Sequence, residues 1–221
     1  MGFALAPGIG FCIAGKQAAF FNPATDDYLC LSVDATQRLQ LALASCEKPE
    51  GHNDLFSSLV EAGLAVENSS PDMAFEPKTQ TVVRSIHGQA PKQTSPLMLI
   101  HALTDQLGAE RDLKLHGLGN TLRALSAARN GHGALRECDA EPLMRISHAF
   151  YLSKRFLPTT NKCLSRSIAL TRRLLSNGIG ANLVLGVRTM PFVAHAWVQI
   201  NDLVLNDYAE DVQRYTPIWV V

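Results

Sequence analysis

Net charge is the first thing this chain lacks. Twenty Lys and Arg balance twenty Asp and Glu in 221 residues, so the chain as a whole has no electrostatic reason to seek nucleic acid or anionic lipid. No apolar run approaches the roughly 18 residues that a bilayer requires. The start, Met1-Gly2-Phe3-Ala4-Leu5-Ala6-Pro7, has no basic residue before its apolar stretch, and Pro7, Gly8 and Gly10 interrupt that stretch. It reads against a secretory signal. Cysteine is scarce: Cys12, Cys30, Cys46, Cys138 and Cys163 form no Cys-x-x-Cys and no Cys/His pair at zinc-finger spacing. A cytoplasmic, reduced chain without a structural metal is expected, with four of the five as small buried hydrophobes. No repeat and no low-complexity tract is visible.

What the chain does have is apolar mass for a core, with 47% hydrophobic residues and 18% charged ones. It also has an uneven distribution of charge. Residues 1–68 hold three basic residues against eight acidic, and residues 69–221 hold 17 against 12. That asymmetry suggests two units with different partners. Turn and cap chemistry divides the chain the same way. Gly10–Ala14 and Gln17–Phe21 flank a Gly15-Lys16 turn, and Tyr28–Val33 reads as a third strand. Asp34 caps a helix to about Ala44; Asn53 caps another, bearing Leu55, Phe56, Leu59 and Val60, which Gly63 ends. Leu64-Ala65-Val66 follows as a short extended piece. Three strands and two helices indicate a small winged-helix-like module over 1–68. Residues 69–95, with Pro71, Pro77 and Pro91, read as a linker with one strand at Thr81–Ile86.

From Pro96 to Val221 helices come first and strands last. One helix starts at Ser95-Pro96; a second carries Leu113, Leu118, Leu122 and Leu125 and ends at Gly131 and Gly133. A third, capped by Asp139, carries Leu143, Ile146 and Phe150 and stops at Pro158. A loop then delivers Cys163 to the start of a helix that Asn177-Gly178 closes. Strands are expected at Ala181–Val187, Phe192–Ile200 and Leu203–Asn206, the last two joined by a tight turn at Asn201-Asp202. The fold class is therefore α+β.

The chemistry lies in the order Cys163, His195, Asp207. A thiol at a helix N-terminus meets free N–H groups and the helix dipole, which favour a thiolate. An imidazole can pair with that thiolate and protonate a leaving group. In a hairpin turning at Asn201-Asp202, His195 falls opposite residue 208, so Asp207 can reach it and fix its tautomer. The Cys163 backbone N–H is a natural oxyanion donor. Asn161 reads first as a loop cap and second as another donor. Arg166, Arg172 and Arg173 read as a solvated helix face, although Arg166 is near enough to Cys163 to bind peptide. Trp197 is core or a wall of the cleft. The other six histidines have no i,i+4 partners and carry no assigned role.

Cys163-Leu164-x-Arg166-Ser167-x-Ala169-Leu170, Leu185-Gly186-Val187, Pro191-Phe192-x-Ala194-His195-Ala196-Trp197-Val198 and Asp207 resemble the lasso-peptide maturation proteases. Those "B proteins" have a papain-related, transglutaminase-like fold of helices plus antiparallel sheet. The close resemblance covers about Ala140 to Asp207. Residues 1–68 are similar to the leader-recognition element of ribosomal-peptide maturases, on the weaker evidence of Phe20-Phe21-Asn22 and Asp26-Asp27-Tyr28-x-x-Leu31. The resemblance implies that a precursor's leader adds as a strand along Tyr28, Leu29, Cys30 and Leu31 and packs on Leu55, Leu59 and Val60. It implies a partner too, an ATP-dependent, asparagine-synthetase-like lasso cyclase, followed by an exporter. It implies no cofactor for the protease; any ATP dependence would enter through that cyclase.

The sequence thus supports a cysteine endopeptidase that binds a precursor peptide by its leader and cuts leader from core before macrolactam formation. Two rivals stay in view. An acyl transferase of transglutaminase type would pass the thioester to an amine, giving an adduct rather than two fragments. A non-catalytic peptide chaperone or winged-helix regulator would be indifferent to Cys163→Ala. The acidic first unit and the complete trio both count against the second rival.

Overall fold

The computed structural model describes residues 2–44, 53–68, 79–86, 94–130, 140–157 and 162–221. Near the N-terminus, β1 (Gly2–Leu5) is followed by a meander of β2 (Gly10–Ala14), β3 (Gln17–Asn22) and β4 (Asp27–Cys30). The three meander strands pair antiparallel in the order β2-β3-β4, leaving β4 at an edge. Helices α1 (Val33–Ala44) and α2 (Asn53–Glu61) follow, then β5 (Ala65–Asn68), which pairs antiparallel with β1. The Gly15-Lys16 turn falls where expected, but β4 stops at Cys30 rather than Val33, and α1 starts ahead of Asp34: Ser32 Oγ accepts the Ala35 N–H at 3.1 Å and is the cap. The strand β1 is an addition: Gly2–Leu5 has no partner close in sequence and is ordered by β5, more than 60 residues away on the register Gly2↔Asn68.

Strand alternation gives the meander two apolar faces. Ile9, Phe11, Ala18 and Phe20 pack against Leu39 of α1 and Phe56 and Leu59 of α2. Cys12, Ala14, Ala19 and Phe21 face the other way and enter the main core beside Leu183, Leu185 and Ile218. The approach is close. A Cβ on Gly10 would lie 2.6 Å from the carbonyl oxygen of Ile218, and one on Gly119 would lie 2.8 Å from that of Pro23. Thr189 Oγ1 donates to the Ala14 carbonyl at 3.0 Å. The first 30 residues therefore share a core with the second half of the chain.

That half is built on a five-stranded sheet, order β10-β7-β8-β9-β6. Its members are β6 (Arg84–Ser85), β7 (Asn182–Thr189), β8 (Phe192–Ile200), β9 (Leu203–Val204) and β10 (Thr216–Val220). All neighbours are antiparallel except β6 with β9. Residues 79–86, expected within a linker, thus contribute a sheet edge. β10 has no counterpart in the sequence reading. β9 is two residues shorter than expected, because the ladder ends before Asn206, whose side chain turns to other work.

Helix α3 (Pro96–Asn130) bends at Gly117, whose φ of 74° and ψ of 169° break the helical path. A left-handed φ is open to glycine at no steric cost, so the break falls there, four residues after Leu113. Helices α4 (Ala140–Ser153) and α5 (Cys163–Ser176) complete the layer over the sheet, and α6 (Ala209–Val212) is a single turn. Arg173 grips Asp105 with two bonds of 2.7 and 2.8 Å, Arg172 meets Asp112 at 2.6 Å, and Lys162 meets Glu110 at 2.7 Å. The arginines of α5 are therefore not a solvated face but a seam to α3. Among the described residues no helix is long and apolar enough to cross a membrane. The expected stops at Gly131, Gly133 and Pro158 and the cap at Asp139 lie outside the described residues.

Candidate active site

Cys163 is the first residue of α5, and no side chain of Lys162 caps the helix before it. The free amides of the first turn and the helix dipole are thus available to an anion. The sulfur is half-buried and hydrogen-bonded to the His195 imidazole. Burial pushes the thiol pKa up. The bond and charge of His195, together with the backbone N–H groups of Ala196 and Leu164, outweigh it, and the net shift is downward. A thiolate is the form this setting favours.

His195 lies on β8, directly opposite Gly186 of β7. Its Nε2 is 2.7 Å from Asp207 Oδ2, which leaves Nδ1 as the nitrogen for the thiol. Burial works against the imidazolium, but the bonds to Asp207 and Cys163 and their charges raise the pKa to about 9. Asp207 follows β9 on an irregular segment, and the Tyr208 N–H donates to its Oδ1 at 2.9 Å. Its own burial raises the carboxyl pKa, yet the bonds from His195 and Tyr208 and the charges of His195 and Lys154 bring it below the ordinary value. The three titrating groups therefore support a thiolate–imidazolium–carboxylate row.

A buried hydrogen-bond network fixes this row. Asn206 Nδ2 donates to Ser167 Oγ at 2.8 Å, Ser167 Oγ donates to the Ala196 carbonyl at 2.9 Å, and Asn206 Oδ1 accepts the Val198 N–H at 2.9 Å. Ser167 is one turn along α5 from Cys163, Ala196 adjoins His195, and Asn206 adjoins Asp207. The network thus ties together the three segments that carry the chemistry. Sequence reasoning missed both residues. Ser167 stood in the motif that carries the family resemblance and Asn206 only beside Asp207, and a serine in a helix or an asparagine near a turn has many commoner uses.

Arg166 is 6% exposed and so is neither solvated nor peripheral. Its Nε donates to Gln106 Oε1 at 3.3 Å, and its Nη2 has no hydrogen-bond partner among the described residues. Burial lowers its pKa, while Cys163, Asp207 and Glu110 act to raise it. Trp197 is buried against Val184 and Val204, and its ring lies 6.2 Å from that of His195. Asn161 lies outside the described residues.

The expected leader contacts divide between the two cores. Tyr28 stacks on Phe21 at 4.6 Å and meets Phe192 at 5.4 Å, on the same core as Cys163. Burial raises its phenol pKa, with Asp26 and Cys163 adding to the shift. Leu29 and Cys30 are exposed on β4. Leu31, Leu55, Leu59 and Val60 belong to the other core, with Leu59 buried in it.

Comparison with known proteins bears on this site. A 45-residue stretch, 20% of this chain, is 53% identical to the Microcin J25-processing protein McjB of Escherichia coli, and it covers 22% of that protein. The match thus spans about a fifth of the relative's length. No solved structure matches. The model of the transglutaminase-like superfamily matches residues 107–220. That is just over half of the 221 residues, running from within α3 through α5 to β10 and including all three members of the row. On the extent of that match the chain belongs to the transglutaminase-like superfamily.

Proposed function

We propose that this protein is the leader peptidase of a lasso-peptide pathway, a cysteine endopeptidase acting in the cytoplasm. The observation that carries the reading is the two-sided engagement of His195, bonded to Asp207 at 2.7 Å and to the thiol of Cys163. The name of the McjB relative, a processing protein for microcin J25, supports the substrate class.

The chemistry follows from the charges at rest. The Cys163 thiolate attacks the carbonyl at the leader/core junction, with the developing oxyanion facing the amides at the α5 N-terminus. The His195 imidazolium gives its proton to the departing amine of the core, and a thioester to the leader remains. Neutral His195 then takes a proton from water, the hydroxide attacks the thioester, and the thiolate leaves. Asp207 keeps the ring in one tautomer throughout. The freed amine is the nucleophile that a separate ATP-dependent lasso cyclase would join to a side-chain carboxylate.

Residues 1–68 are the recognition unit of this reading, winged-helix-like in plan; the protease unit expected over 96–221 takes in β6 from the expected 69–95 linker as well. Among the described residues β4 has no neighbour on its outer edge, which suits strand addition by the leader along Tyr28 to Leu31, with packing on Leu55, Leu59 and Val60 of α2 as the expected second contact. The acidic balance of this unit fits a leader that carries basic charge.

The test is mass spectrometry of the precursor peptide incubated with the protein and with Cys163→Ala. One cut between leader and core, made by the unaltered protein alone, is expected. An amine adduct in place of two fragments would assign the acyl-transfer chemistry instead. An intact peptide, even with cyclase and ATP present, would remove the peptidase reading.

A further inference from the structure

Catalysis through His195 needs an imidazole whose plane is held. In the sheet, Pro217, Gly186 and His195 form one row across β10, β7 and β8. Gly186 brings no side chain to that row, and its space is occupied. A Cβ there would lie 2.6 and 2.7 Å from the Cζ3 and Cη2 atoms of Trp197 and 3.1 Å from the Cβ of Tyr215. Even alanine would therefore displace a ring.

The Trp197 ring is held in that space. Its Nε1 donates to Gln199 Oε1 at 2.8 Å, and Gln199 Nε2 donates in turn to Thr79 Oγ1 and to the carbonyls of Gln80 and Asn201. From this position the indole lies against the imidazole, 6.2 Å between centroids and 24° between planes. Tyr215 lies against the same imidazole at 5.0 Å and 32°.

We propose that Gly186 is a positioning residue for the reaction: by lacking a side chain it seats Trp197 beside Tyr215, and the two rings hold the His195 imidazole in the plane that joins Asp207 to Cys163. Two aromatic faces also favour the protonated ring. The inference rests on the catalytic role given to His195. The charged and titratable groups around the ring are Cys163 from α5, Asp207 after β9 and Tyr215 before β10. Arg188 of β7 sits 6.0 Å over the Tyr215 ring, and Lys154 and Arg166 act on Asp207 from α4's end and α5.

Gly186→Ala is expected to fold, because Trp197 and Tyr215 border a cavity of about 270 Å³ into which a displaced ring can move. The measurement is an NMR titration of labelled histidine, with the His195 signal identified by its loss in His195→Gln. The unaltered protein and Tyr215→Phe, which keeps the ring, should titrate near pH 9. Gly186→Ala and Tyr215→Leu should titrate about one unit lower. Both should cut the precursor about tenfold more slowly in kcat, because an imidazole tilted out of the plane between Asp207 and Cys163 delivers its proton less well, with leader affinity unchanged. If Gly186→Ala does not fold, Tyr215→Leu decides. A midpoint near 9 in the unaltered protein and in both variants would overturn the seat while leaving the peptidase reading intact. A midpoint at the ordinary 6.5 in the unaltered protein, with cleavage persisting in Cys163→Ala, would overturn both.

Discussion

Nε2 of His195 and Oδ2 of Asp207 lie 2.7 Å apart, although Asp207 stands beyond the last ladder pair of β8 and β9. The carboxylate is thus presented by an irregular turn rather than by strand register. Asp207→Asn keeps the size and loses the charge. Cleavage should fall by roughly 10⁴ in kcat, as for the same change in the serine-protease triad, and initial rates on the precursor will read it. A loss under threefold would remove Asp207 from the mechanism.

Cys163→Ala should abolish cleavage and leave leader binding unchanged, since the thiol sits at the N-terminus of α5 and the expected strand-addition edge is β4. Fluorescence anisotropy of a labelled leader peptide, beside the cleavage assay, separates the two properties.

The pH profile has a defined shape. The Cys163 thiol titrates below the ordinary thiol value, and the His195 imidazolium persists to about 9. Cleavage should therefore rise as the thiolate forms on the acid side and fall through about pH 9 as the imidazolium is lost. The same shifts bear on stability. The raised pKa of His195 stabilises the fold fully below 6.5, and that contribution disappears as pH rises through about 9. The lowered pKa of Asp207 stabilises above 3.8, and its contribution disappears as pH falls through the folded value. Melting temperatures at pH 6 and pH 10 should differ, and His195→Gln should narrow the difference.

Asn206→Ala removes two buried bonds and leaves the Val198 N–H without its partner. The expected cost is about 1–3 kcal/mol of stability, measured by denaturant titration, with a fall in kcat because Asp207 is the next residue. Ser167→Ala should act in the same direction on a smaller scale.

A chain beginning at Pro96 should be poorly behaved rather than simply unable to find its substrate. It would lack β6 and expose the surface that Cys12, Ala14, Ala19 and Phe21 cover. Expected outcomes are a lower melting temperature and binding of an apolar dye. A stable, dye-free fragment would show that the shared core is dispensable.

The sequence by itself determined the elements whose causes are local. α1 and α2 start within two residues of Asp34 and Asn53, although Ser32 and not Asp34 caps α1; Gly15-Lys16 turns β2 into β3, and Asn201-Asp202 turns β8 into β9. Each rests on caps, turns or side-chain period within a few residues. The order of Cys163, His195 and Asp207 was legible for the same reason, because a helix start and a tight hairpin leave few ways to place them. Only the tertiary structure decided the rest. It ordered β1 on β5 and β10 on β7, buried Arg166, and turned Arg172 and Arg173 to carboxylates of α3. It joined Ser167 to Asn206 and filled the missing side chain of Gly186 with Trp197. These relationships link residues far apart along the chain or on different strands. Local period and turn chemistry carry no record of them; packing chooses such partners by shape and by the need to satisfy every buried polar group.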